Sequence, residues 1–165
     1  PVRSYYKRIG LPTDTLNYSR IAAYFINEYR RQYKFCNIHQ GAIDCFNKLN
    51  ISGINQSVLS ASMESDLYSF ILHFNLSHQF THFSGVTDIF AAGKSNISIK
   101  HLKKLNSNNL KVLLVGDTLH DAEVAQKLDV DCLLFSGGHN SREILSESTY
   151  QIVDSFDEIY QYILD

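Results

Sequence analysis

An α/β domain built around a mainly parallel sheet is the fold class this sequence predicts, and two observations predict it. From Gly41 onward, helical and strand-like patterns alternate along the rest of the chain, as they do where helices cover a parallel sheet. Within residues 111–121, an apolar β-branched run from Val112 to Val115 stops at Gly116-Asp117 before an amphipathic pattern opens near Asp121. That is how a buried parallel strand leads into a helix.

The elements follow in order. Residues 1–38 read as helices with an aromatic stripe: Tyr5 and Tyr6 precede a break at Gly10-Leu11-Pro12, and Tyr18, Ile21, Ala22, Phe25, Tyr29 and Tyr33 recur at three- and four-residue spacing. Thr13 or Asp14 caps the second of them. Such a stripe reads as packing; its functional counterpart is a helical lid whose tyrosines face a substrate. A helix over 42–49 then leads to a strand over 56–60, and a helix over 63–74 carries Leu67, Phe70, Ile71 and Phe74 on one face. A short apolar run over 83–89 reads as a strand and 97–105 as a helix. The central strand, a helix over 121–128, a strand over 131–135, a Gly137-Gly138 loop, a strand over 150–153 and a helix over 156–164 complete the pattern.

Composition narrows the class. The chain has 165 residues, long enough for one domain, or one domain with a small insertion, and for a real core. Hydrophobic residues make up 44%, but no apolar run approaches the roughly 18 residues of a membrane helix. The N-terminus has no signal-peptide pattern. The three cysteines, Cys36, Cys45 and Cys132, are odd in number, lack CxxC spacing and have apolar neighbours; they read as reduced buried thiols and point to a cytoplasmic protein. A net charge of −2, with no basic block beyond residues 29–34, leaves no footprint for nucleic acid.

Three features lie in order where strands reach one sheet edge. Ser60 ends a strand in Val58-Leu59-Ser60-Ala61-Ser62, Lys94 lies in Ala91-Ala92-Gly93-Lys94-Ser95 ahead of a helix, and Asp117 with Asp121 follows the central strand. In open α/β sheets that edge is where ligands bind, and two acids a turn apart there suit a hard cation such as Mg²⁺. A hydroxyl beside backbone N–H groups, a point cation and a metal-holding acid pair are the parts phosphoryl transfer needs. Each also has a plainer reading: Ser60 as a strand-end serine, Lys94 as a solvated loop lysine, and Asp117 or Thr118 as an N-cap followed by a first-turn acid.

Ser60, Lys94 and Gly116-Asp117-Thr118-Leu119-His120-Asp121 resemble the second, third and fourth motifs of the haloacid dehalogenase-like hydrolases, phosphoglycolate-phosphatase-like members in particular. Residues 1–10 resemble the helical cap such members insert, so the resemblance spans essentially the whole chain. It implies a Rossmann-like core (39–165) under a small, partial helical cap (1–38), and Mg²⁺-dependent hydrolysis of a small phosphorylated metabolite through a phospho-aspartyl intermediate. It also implies roles. Ser60 and the Ala61 backbone N–H bind a phosphoryl oxygen, and Lys94 holds nucleophile and phosphate. Asp117 ligates Mg²⁺, and Asp121 fixes the metal's waters or orients Lys94. His120 reads as a helix-start residue.

The family's first motif, a strand ending in Asp-x-Asp-x-Thr/Val, is absent from the sequence. It supplies the attacking carboxylate and an acid/base two residues on. Asp129-Val130-Asp131 has the spacing but precedes its strand, and Asp154 lacks a second acid at position 156; both read as turn or cap acids. The missing strand is expected upstream of Pro1 and, by resemblance, centrally between the strands of Ser60 and Asp117. Its loss exposes strand edges open to self-association. The expectation is therefore a fragment, truncated product or degenerate relative, inactive as it stands. The competing readings are a non-catalytic relative that keeps the phosphate and metal pocket for binding or regulation, and, ranked last, a flavodoxin-like binding domain without a Gly-x-Gly-x-x-Gly fingerprint. Substrate identity is expected to rest on Arg3, Tyr5, Tyr6 and the loop around His139 and Arg142.

Overall fold

The computed structural model describes residues 6–12, 14–87, 95–105 and 110–165. The chain divides into two compact units, Pro1–Asn37 and Ile38–Asp165.

The first unit is dominated by α1 (Thr15–Gln32). Of the two capping candidates Asp14 is the cap, its carboxylate accepting from the Asn17 backbone N–H and side-chain amide at 3.1 and 2.9 Å. The hydrogen bonds lower the Asp14 pKa, the Asn17 side chain contributing most. Tyr6 is buried and tilts against Tyr18. Phe25 stacks on Tyr29 with both rings about half exposed, so the aromatic stripe is only partly a packing surface.

The second unit holds the sheets. In chain order it contains α2 (Ala42–Ile51), β1 (Ser57–Met63), α3 (Glu64–His73), β2 (His82–Val86), α4 (Ser95–Lys104), β3 (Leu113–Gly116), α5 (Leu119–Leu128), β4 (Asp131–Phe135), α6 (Arg142–Leu145), β5 (Gln151–Val153) and α7 (Phe156–Leu164). All ladders are parallel: β1 pairs with β2, and β3, β4 and β5 form a second sheet in that order. The fold is thus α/β, parallel and Rossmann-like. Among the described residues no ladder joins the two sheets.

Period-two alternation sorts the larger sheet into two faces. Leu133, Phe135 and Val153, with Leu113 beside them, meet Cys45 and Leu49 of α2 and Ile159 of α7. Cys132 and Leu134, with Leu114 and Ile152, meet Ala122 and Ala125 of α5 and Leu145 of α6. Leu133, Leu134 and Leu145 are fully buried, each worth about 1.5–3 kcal/mol by area removed from water. The alanines of α5 let that helix lie close to the sheet. Helices on both faces explain why β4 reads as an uninterrupted apolar run.

One strand and one short helix stand out against the sequence pattern. β1 continues past Ser60 to Met63, and its register slips between Leu59, opposite Ser84, and Met63, opposite Val86. Four steps on β1 therefore match two on β2, a bulge centred on Ser60-Ala61-Ser62. The helix after it starts at Glu64, because Met63 is still extended. The short α6, with Leu145 as its one buried residue, escaped the sequence reading because four residues are too few to show a helical period.

No helix of the described residues is long and apolar enough to cross a membrane.

Candidate functional site

β3 ends at Gly116 and delivers Asp117 and Thr118 to the carboxyl edge of the sheet, where α5 begins. Thr118 is the N-cap: its hydroxyl accepts from the Asp121 N–H at 3.3 Å, and the Asp121 carboxylate reaches back to the Thr118 N–H at 3.0 Å. This is a capping box. The same Asp121 oxygen, Oδ2, also accepts from the Asp117 N–H at 3.1 Å and the Thr118 hydroxyl at 2.7 Å. Asp121 is 2% exposed. Among the described residues its carboxylate accepts from at least three donors and so organises the loop that presents Asp117.

Asp117 is placed differently. Its side chain is 32% exposed, and Oδ2 accepts from the His139 backbone N–H and faces His139 Nδ1, each at 2.8 Å. The loop after β4 is tied to the loop after β3 twice more. Asn140 N–H donates to the Asp117 carbonyl at 3.2 Å, and Asn140 Oδ1 accepts from the Leu119 N–H at 3.0 Å. Glycine is required on both sides: a β-carbon at Gly116 would overlap the Asp121 side chain, and one at Gly138 would overlap Asp117.

Ser60 lies in the β1 bulge, half-buried, with its Oγ accepting from the Ser62 N–H at 3.1 Å. Ala61 beside it is exposed. Bulges at sheet rims commonly re-aim side chains toward a site. Lys94 lies outside the described residues, as do Arg3 and Tyr5. His120 occupies the first turn of α5 and faces Glu123 at 3.1 Å. Arg142 pairs with Asp154, whose carboxylate also accepts from Ser136. Asp129 is the left-handed C-cap of α5, and Asp131 is the first residue of β4, at the edge opposite Asp117.

The acid pair offers oxygen donors only, one carboxylate partly exposed and one buried behind it. That donor set fits a hard cation such as Mg²⁺, which takes one or two carboxylates and keeps several waters. Among the described residues no three His, Cys, Asp or Glu side chains converge, so a softer site of the zinc type has no candidate. A shallow cavity of about 570 Å³ opens at the other end of the strands, lined in part by Lys111, Asp131 and Tyr150. It is remote from Asp117.

His139 and Asn140 are the site residues whose roles the sequence hid. Their loop was recognisable from Gly137-Gly138 after a strand, but no spacing rule indicates that it folds back onto Asp117.

Residues 2–135 match the family model of the haloacid dehalogenase-like hydrolases. No curated protein matches the chain. Among solved structures, a predicted phosphatase from Clostridium acetobutylicum superposes with a TM-score of 0.79 at 21% identity, over 98% of this chain and 75% of that one. A haloacid dehalogenase-like family hydrolase from Streptococcus pneumoniae gives 0.86 at 17% identity, over 99% and 76%. A predicted phosphoglycolate phosphatase from Haemophilus somnus gives 0.77 at 17%, over 96% and 72%. These likenesses establish the fold, and the family model, which spans most of the sequence, establishes the kinship: the chain belongs to the haloacid dehalogenase-like hydrolases.

Proposed function

We propose that this chain is the larger part of a cytoplasmic Mg²⁺-dependent phosphatase acting on a small phosphate monoester, of the phosphoglycolate-phosphatase type. The observation that carries the reading is the division of labour between the two acids: Asp121 is buried and accepts from at least three donors among the described residues, while Asp117 stays partly exposed at the sheet edge. In this reading Asp117 holds the metal, and Asp121 fixes the loop and, through it, the metal's waters. Bound there, Mg²⁺ would neutralise charge on the phosphoryl group. The bulge at Ser60 would turn its hydroxyl and the Ala61 N–H toward a phosphoryl oxygen, and Lys94 would hold the phosphate by charge. In the same reading residues 1–38 are the family's partial helical cap and 39–165 its Rossmann-like core.

The attacking carboxylate is assigned to an Asp-x-Asp strand that these 165 residues do not contain. In the complete protein that strand would lie between β1 and β3, and its first aspartate would carry the phosphoryl group in a phospho-aspartyl intermediate. β1 and β3 each have one edge with no ladder partner among the described residues, and Val115 on β3 is 43% exposed. Such edges also favour self-association of the isolated chain. The chain alone is therefore expected to be inactive. The absence of the motif from the sequence equally favours a second reading, a non-catalytic relative that binds phosphate and metal for regulation.

The test uses p-nitrophenyl phosphate with Mg²⁺, on the chain alone and on a polypeptide extended by an Asp-x-Asp-x-Thr strand. Turnover only in the extended form, abolished by chelation and by Asp117→Asn, supports the phosphatase. Near wild-type turnover in Asp117→Asn would sink the assignment. Phosphate binding without turnover in the extended form would favour the regulatory relative.

A further inference from the structure

One buried histidine fastens α4 to both strands of the smaller sheet. His101, 5% exposed, has Nδ1 2.8 Å from Ser84 Oγ on β2 and Nε2 2.9 Å from Ser57 Oγ on β1. Ser98, one turn earlier on α4, is 1% exposed, so this face of the helix is sealed by small polar groups instead of an apolar stripe. A hydroxyl donates or accepts, so a neutral imidazole is satisfied at both nitrogens in either tautomer. A charged one is not so well placed. β2 brings His82 and α4 brings Lys104 near the ring, β1 offers only the neutral Ser57, and no acid acts on it among the described residues. His82 Nδ1 is itself buried with no hydrogen-bond partner among the described residues.

We propose that Ser57, His101 and Ser84 form a proton-sensitive latch: the neutral imidazole locks α4 across β1 and β2, and protonation releases the helix and loosens the strand that carries Ser60. Only the final clause rests on the phosphate-site reading given above. Burial, then His82, then Lys104 depress the His101 pKa below its ordinary 6.5. The open form then binds a proton more readily than the closed one. The latch is fully formed above the ordinary value and is lost as pH falls from there through the depressed one.

The experiment is amide hydrogen exchange on the chain from about pH 7.5 to about pH 5, corrected for intrinsic rates, spanning the range in which histidine changes charge. Protection of α4 should fall by up to about tenfold per pH unit across the transition, the limit for uptake of one proton, while β4 stays protected. The slope should vanish in His101→Gln and persist in His82→Gln. A wild-type α4 whose protection ignores pH, or a slope that survives His101→Gln, overturns the latch. Should His101→Gln not fold, the wild-type imidazole ¹⁵N spectrum decides: one neutral tautomer persisting below the ordinary histidine range supports the latch, and free titration refutes it. Sulfate, a non-titrating stand-in for a phosphate ester, should bind more weakly as α4 opens. Unchanged sulfate affinity across the transition overturns the coupling to Ser60. If sulfate binds at no pH while the α4 slope stands, the phosphate-site reading fails and the latch survives.

Discussion

His139 holds Asp117 through one oxygen: its backbone N–H and its ring Nδ1 both lie 2.8 Å from Oδ2. The loop after β4 thereby sets the direction in which the acid after β3 faces, and Gly138 makes room for the approach. Gly138→Ala should force the two loops apart, with a stability cost of about 1–3 kcal/mol, as for other overpacked positions. The His139 ring is 87% exposed, so His139→Ala should change stability by less than about 0.5 kcal/mol. Urea unfolding of both variants beside a Mg²⁺ titration separates the effects. Equal stability in Gly138→Ala and wild type would refute the close approach.

Asp121 should matter more to folding than Asp117. Asp121→Ala strands the Asp117 and Thr118 N–H groups and the Thr118 hydroxyl together, so a loss of about 3 kcal/mol is expected, as when a buried charged partner is removed. Thr118→Ala, which takes the cap oxygen and one donor to Asp121 but leaves the two backbone donors in place, should cost less, about 1–2 kcal/mol. Asp117→Asn should leave the unfolding midpoint nearly unchanged while abolishing Mg²⁺ binding by calorimetry. Equal destabilisation by Asp117→Asn and Asp121→Ala would contradict the division of labour between the acids.

How much of this was legible beforehand depends on the range over which each signal acts. β4 and α7 match the sequence expectation because an unbroken apolar run and a strong helical period are local properties. The plain reading of Thr118 as an N-cap with an acid in the first turn also describes the observed capping box. The bulge at Ser60 was not legible, because it depends on where β2 pairs and no residue of β1 announces it. Nor was the hold of His139 on Asp117, a contact between positions 22 residues apart that exists only once β3 and β4 are adjacent. His101 was hidden for a similar reason: its two serines are 17 and 44 residues away.

The cysteines should react in a fixed order. The Cys132 thiol is pushed up to about 12, by burial first and by the Asp121 charge second, and Cys45 is raised by burial and by Asp157. Cys36 is exposed. Because thiolate and access together set alkylation rates, iodoacetamide on the native chain should modify Cys36 alone. Mass spectrometry should show one adduct before unfolding and three after. Native labelling of Cys132 would mean that the face of β4 covered by α5 opens readily.

Asp154 links three elements, accepting from Ser136 after β4 and from Arg142 of α6 while sitting just past β5. The Ser136 hydrogen bond lowers its pKa most, with Arg142 adding to it. A depressed carboxylate contributes stability that is fully present above its ordinary 3.8 and is lost as pH falls through the folded value. The Asp154→Asn variant lacks this titration. Its unfolding midpoint should therefore lie below that of wild type at neutral pH, and the two should converge as the pH drops below about 4, where the wild-type carboxylate takes up its proton. Because the group is exposed, raising the salt concentration should also narrow the gap at neutral pH. A gap that stays constant from neutral pH into acid would mean that Asp154 acts through shape and not through its charge.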